Sequence, residues 1–141
     1  MIYVTGDTHR FHDLAKLLDS EWPTGQTLTR DDYVVVCGDF GGVWYDIDLE
    51  SPSLLLELWE SLPWTTLFVD GNHENHDAID AIPISERFGA PVQVVPNCPH
   101  IVHLMRGYVY DLPVTSTSTA RVLVMGGARS VDRQWRIEGE S

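Results

Sequence analysis

YVVVCGDFGG, residues 33–42, is an unbroken apolar run that ends on a glycine followed at once by an aspartate. A short run with no alternation of polar and apolar residues fits a strand buried on both faces, the kind found in parallel sheets covered by helices. The same ending recurs on either side of it. IYVTGD at 2–7 and TTLFVDGN at 65–72 are also short apolar runs closed by Gly-Asp or Gly-Asn. Asp7, Asp39 and Asn72 stand 32 and 33 residues apart, about one βαβ unit of roughly 30 residues. The expected frame is therefore three parallel strands, Ile2–Thr5, Tyr33–Cys37 and Thr65–Val69, joined by helical crossovers.

The crossovers are legible too. Phe11, Leu14, Ala15 and Leu18 recur at helical spacing after the first strand, and Leu55, Leu58, Trp59 and Leu62 do so after the second. Ser51 is the expected cap of that second helix, Pro52 its first residue and Pro63 its stop. Beyond Gly89 the texture changes to short strands, at 92–95, 101–104, 108–112 and 121–125, split by Pro, Gly and Asn turns. These predict a second, more antiparallel sheet, with 113–120 as a solvated hairpin connection. The expectation is one α/β domain over 1–141.

Any single Gly-Asp or Gly-Asn pair is ordinary turn chemistry. Three in phase at the carboxyl edge of one sheet are a different matter, because strands about 4.8 Å apart let side chains from neighbouring ends share an ion. His9 beside Asp7 and His73 beside Asn72 add imidazoles at two of the three ends. A mixture of carboxylate, carboxamide and imidazole suits manganese, iron or zinc better than magnesium or calcium.

The motifs GDTH at 6–9, GDFGG at 38–42 and GNHE at 71–74 resemble those of the calcineurin-like metallophosphoesterases, whose signature runs D-x-H, GD-x-x-G and then GNH with an acid. RGYVY at 106–110 and GGARSVD at 126–132 are similar to a bacterial and phage branch of that family, so the resemblance spans nearly the whole chain. It implies an αββα sandwich and a phosphoesterase that hydrolyses phosphomonoester or phosphodiester bonds with two divalent metal ions, manganese first and iron or zinc as alternatives. By resemblance Asp7 and His9 bind one ion, Asp39 bridges both and Asn72 binds the second. His73 is implied as the catalytic group that contacts the phosphoryl oxygens and protonates the leaving oxygen. Bound dications make a nucleophile of water near neutral pH and offset charge developing on phosphorus.

Family members carry further metal-binding histidines in their C-terminal part, the last two in a G-H-x-H motif that these 141 residues do not contain. The chain thus reads as a truncated form of a longer enzyme, and the alternative to catalysis is a truncated, catalytically inactive fragment or a metal-poor binding module of the same fold. His100 and His103, three apart in a predicted strand, fall on opposite faces and are not expected to converge on one ion. His12 reads as a surface residue, and His76 and Asn75 as neighbours of the site or as a helix cap. Asp46, Asp48 and Glu50 read as a solvated acidic loop. Arg129, Arg133 and Arg136 are candidate phosphate contacts without an assigned place.

Composition narrows the function further. A formal charge of −12 repels polyphosphate backbones, so nucleic acid is expected only as substrate. No G-x-G-x-x-G follows the first strand, which argues against a dinucleotide-binding domain. Gly42-Val43-Trp44 stands where protein Ser/Thr phosphatases carry Asp-Arg-Gly. No segment reads as a signal peptide or membrane span, and Cys37, in a strand that reads as buried, and Cys98 are expected to be free thiols in a cytoplasmic protein. Nothing in the sequence specifies an oligomeric state or names the phosphoester.

Overall fold

Valine-rich strands with no polar face need cover on both sides, and that requirement sets the layers. A computed structural model describes residues 1–11, 13–18, 20–44 and 53–127. Strands β1 (Ile2–Thr5), β2 (Tyr33–Cys37) and β3 (Thr65–Val69) pair in parallel, with Thr5 opposite Val36 and Cys37 opposite Val69. Every residue of β3 is buried, as is all of β2 except Cys37, which is exposed at the strand end rather than enclosed. The expected parallel frame is present.

The crossovers differ in detail. Helical spacing at residues 11–18 produces only a 3₁₀ turn, Leu14–Leu17, and Leu18 is already extended. His12 lies outside the described residues. A 3₁₀ turn suffices to bury Leu14. A second 3₁₀ turn, Pro23–Thr27, leads to β2.

Helix α1 (Leu54–Ser61) is capped by Ser53, whose Oγ accepts from the Leu56 N–H at 3.3 Å. The cap is thus Ser53 rather than Ser51, and Ser51 and Pro52 lie outside the described residues. The helix stops before Pro63 as expected. It buries Leu55, Leu56 and Trp59, while Leu58 is only half-buried.

After β3 a short helix α2 (His76–Asp80) leads to β4 (Ile84–Arg87), β5 (Ala90–Val94) and β6 (Ile101–Leu104). These strands extend the first sheet, whose order is β1-β2-β3-β6-β5-β4. β6 lies parallel to β3, while β5 is antiparallel to both β6 and β4. The strands near 92–95 and 101–104 therefore belong to the first sheet and not to the second. All four residues of β6 are buried, which suits a strand beside β3 and not the half-exposed face of an outer sheet.

The second sheet is the antiparallel pair β7 (Val109–Pro113) and β8 (Thr119–Leu123). Its alternating burial, with Tyr110 and Leu112 inward, marks a sheet wet on one face. The loop between the two strands is closed by Val114 N–H donating to Ser118 O at 2.9 Å.

Two cores result. On one face of the first sheet Val34, Val36 and Phe68 meet Trp59, Trp64, Phe40 and the helices. On the other face Val35, Leu67, Val69 and Val102 meet Tyr110, Leu112 and Val124 of the second sheet. The fold is a mixed α/β sandwich of helices, a six-stranded, mostly parallel sheet and a second antiparallel sheet. No helix among the described residues is long and apolar enough to cross a membrane.

Candidate metal centre

Three strands that run the same way finish at the same edge, so the loops after β1, β2 and β3 meet there. They are laced by backbone bonds. The Asp39 carbonyl accepts from the N–H groups of Thr8 (3.3 Å) and His9 (2.9 Å), and the Phe40 carbonyl accepts from Arg10 N–H (3.4 Å) and Thr8 Oγ1 (3.3 Å). Left-handed backbone makes this possible: φ is +100° at Gly38, +44° at Asp39, +43° at His9 and +63° at Arg10. The three of these that are not glycine carry strain that surrounding bonds must hold, a feature concentrated at functional sites.

The result is a convergence of ligand atoms. One atom each from Asp7, His9 and Asp39 lies within 4.8 Å of the other two. His9 Nε2 stands 3.8 Å from Asp7 Oδ2 and 3.7 Å from Asp39 Oδ2. Asp39 is buried, whereas Asp7 and His9 are exposed. Asn72 lines the same cavity of about 440 Å³ as Asp7 and Asp39, between the two sheets. The His73 ring is edge-on to the His9 ring with centroids 5.6 Å apart, and its backbone N–H donates to Asp39 Oδ1 at 2.8 Å. Asp7, His9 and Asp39 thus converge, and Asn72 and His73 lie beside them at the same edge.

Gly71 shows how tightly that edge is built. A Cβ there would stand 2.0 Å from Asp39 Oδ1 and 2.3 Å from Asp39 N. The Asp39 carboxylate occupies the space where any other residue at 71 would carry a side chain. With two carboxylates, an imidazole and a carboxamide on this edge, the donor set fits a divalent transition metal.

Two neighbours were missed in the sequence. Glu74 is wholly buried, and its carboxylate accepts from Phe40 N–H (2.7 Å) and Gly41 N–H (3.0 Å). It ties the GNHE loop to the GDFGG loop. Burial raises its carboxyl to about 7, with the N–H groups of Gly41, Phe40 and Gly71 pulling down and the Asp39 charge adding to the rise. Its place in the GNHE motif was the available signal. Asp70, buried one residue before Gly71, contacts His103, His76 and Arg106, and no periodicity marks it.

The remaining histidines divide as follows. His100 pairs with Glu60, while His103 lies between Gln93 and Asp70, so the two do not converge. Asn75 caps α2, accepting from Ala78 N–H at 3.0 Å, and its Nδ2 donates to the Trp44 carbonyl at 2.6 Å. Arg10 stacks its guanidinium on the Trp44 ring, 3.9 Å from the centroid. The acidic residues Asp46, Asp48 and Glu50 and the arginines 129, 133 and 136 lie outside the described residues.

Comparison with protein families gives a match to the calcineurin-like phosphoesterases over residues 1–140. Comparisons with curated proteins and with solved structures found no significant match. The family match covers nearly the whole chain, and its expected features, parallel strands ending in acid and amide side chains, are those of the edge described above; the chain belongs to the calcineurin-like phosphoesterase family.

Proposed function

We propose that this edge is a two-metal site that hydrolyses a phosphomonoester or phosphodiester bond, with Asp7, His9, Asp39 and Asn72 as metal ligands and His73 as the catalytic acid. The observation that carries the reading is the approach of Asp7, His9 and Asp39 to within 4.8 Å of one another at the carboxyl edge of the sheet. Asp39 is the natural bridging ligand. It is the central strand's carboxylate, and its Oδ1 is oriented by the His73 N–H while Oδ2 faces His9.

Bound dications, manganese first and iron or zinc as alternatives, would supply a nucleophile at neutral pH and neutralise the phosphoryl oxygens. The chain's own residues do the rest. Asn72 adds an oxygen ligand without adding charge that repels an anionic substrate. His73, beside the ligand His9, is placed to donate a proton to the leaving oxygen. Free Cys37 and Cys98 agree with a reducing, cytoplasmic setting.

A second reading is a metal-poor binding module of the same fold. It draws on the exposure of Asp7 and His9 and on the single group of three ligands among the described residues. Affinity for a dication grows with the number of converging ligands, and this reading expects weak binding. Titration of the chain with Mn²⁺ and assay against an aryl phosphoester separate the two. Asp39→Ala is expected to abolish both binding and turnover. His73→Ala is expected to lower kcat while leaving metal content intact, and loss of metal in that variant would remove His73 from the role given to it.

A further inference from the structure

Directly after His9 the chain sets a cation on a built seat. Arg10 has left-handed backbone, with φ +63°, and its N–H donates to the Phe40 carbonyl at 3.4 Å. Its side chain passes over Gly41, in the loop that also carries Asp39. A Cβ at position 41 would stand 2.9 Å from Arg10 Cγ and 3.3 Å from Arg10 N. The stem fits across the loop because residue 41 is glycine.

The guanidinium ends on Trp44, with Cζ 3.9 Å from the ring centroid. At that distance the planar cation rests on the ring face, and the contact uses its plane and none of its five N–H donors. The Trp44 backbone is fixed in turn. Its carbonyl accepts from Asn75 Nδ2 at 2.6 Å, while Asn75 Oδ1 accepts from Ala78 N–H at 3.0 Å in the first turn of α2. Arg10 and Trp44 are both half-buried, so the seat is partly shielded from water and still reachable from it.

A cation held this way has a use at the edge. The chain carries a formal charge of −12, and Asp7 and Asp39 place their carboxylates at the candidate metal centre itself. An anionic phosphoester approaching that edge meets a repulsive field that local positive charge must offset. Lys16, which lines a cavity with Asp7, is bonded to Asp13, and Arg106 is bonded to Asp70, so each is balanced by a carboxylate. The π face under Arg10 steadies a cation without cancelling its charge. A planar guanidinium is also the side chain whose paired N–H groups match two oxygens of one phosphate.

We propose that Arg10, seated on Trp44, is the substrate-binding cation of this site, its N–H groups gripping non-bridging oxygens of the phosphoryl group. The identity of that ligand rests on the phosphoesterase reading, while the seat stands on the stack and on the room beside Gly41.

Inorganic phosphate is the probe. In titration calorimetry of the full chain loaded with Mn²⁺, Arg10→Met keeps an unbranched stem and removes the cation. It is expected to bind Mn²⁺ as the parent does and phosphate about tenfold or more weakly. With 4-nitrophenyl phosphate its KM should rise by a similar factor while kcat changes less. Arg10→Lys should recover only part of the loss, because an ammonium has no plane to lay on the ring. Trp44→Leu keeps the guanidinium and removes its seat, and should weaken phosphate binding about threefold; unchanged affinity there would overturn the seat.

Equal phosphate affinity in the parent and Arg10→Met would overturn the assignment, as would a Mn²⁺-loaded parent that binds no phosphate. Loss of Mn²⁺ in Arg10→Met would also overturn it, by making Arg10 a support of the ligand loop. If the parent bound no Mn²⁺, the two-metal reading would fail, and nitrogen-15 spectra of the metal-free chain would decide the role of Arg10. A shift of its Nε–H signal, assigned with Arg10→Met, on adding inorganic phosphate and not on adding chloride at equal ionic strength supports that role. Absence of the shift overturns it.

Discussion

Replacing Gly71 by alanine tests the geometry of the site with one methyl group. The added carbon would lie 2.0 Å from Asp39 Oδ1, 2.3 Å from Asp39 N and 3.0 Å from Asp39 Cγ. A carbon and an oxygen meet comfortably at about 3.3 Å or more, so the carboxylate must retreat by roughly 1 Å. Rotation of the side chain cannot relieve the contact with Asp39 N, because that atom is backbone.

The GDFGG loop must therefore move, and with it the bond from His73 N–H to Asp39 Oδ1. Overpacking of this kind costs about 1–3 kcal/mol, and a buried acceptor or donor left unpaired adds about 1–3 kcal/mol. The variant is expected to lose about 2–6 kcal/mol of stability on these grounds. On the metal role proposed for Asp39, a displacement of about 1 Å should also lower turnover about a hundredfold.

Gly6→Ala is the matched control, since it stands at the equivalent turn after β1 and nothing lies within 4 Å of the position its methyl group would take. It should bind Mn²⁺ as the parent does. Urea denaturation followed by tryptophan fluorescence and Mn²⁺ titration calorimetry read both quantities. A Gly71→Ala chain with the parent's stability and affinity would refute the argument that Asp39 fills the space beside Gly71.

Glu74→Gln places an amide NH₂ against one of the two N–H donors of Phe40 and Gly41, and urea midpoints should report a loss of about 1–3 kcal/mol; an unchanged midpoint would remove Glu74 as the tie between the loops. Tyr110→Phe deletes the hydroxyl that donates to Pro91 O at 2.6 Å and contacts Met105 O at 3.2 Å, with an expected cost of about 1 kcal/mol and no effect on Mn²⁺ affinity. Alkaline stability follows from two acids that burial holds protonated, the Cys98 thiol raised to about 11 and the Tyr110 phenol raised to about 12. Both folded values exceed the unfolded ones, near 9 and 10. Their contribution is complete below the unfolded values and is lost as pH climbs through the folded ones. Urea midpoints measured from about pH 8 to 11 should fall steadily above about pH 9, and a flat profile would contradict the assigned burial.

Local pattern carried the part of the fold that depends on near neighbours. Apolar runs at 2–5, 33–37 and 65–69 suit strands buried on both faces, and parallel strands of that length end at a common edge. That is why Asp7, Asp39 and Asn72 were legible as a group without coordinates. The 3₁₀ form of the first crossover was not legible, because apolar residues three and four apart suit one turn of a 3₁₀ helix as well as an α-helix.

Partners far apart along the chain decided the rest. β6 reads like an outer strand by its length, yet it pairs with β3, 35 residues earlier in register at Thr66 and Ile101, and burial of both its faces follows from that place. Glu74 is an ordinary helix-leading acid in the sequence, and it becomes a buried tie because the Phe40 and Gly41 N–H groups, 34 and 33 residues away, converge on its carboxylate. The setting of His103 is further still from local pattern. It depends on Gln93 being oriented by the carbonyls of Ile79 and Ile82 while Asp70 is held by Arg106. Hydrogen bonding is directional and short in range, so only the tertiary arrangement could settle which of these groups donates and which accepts.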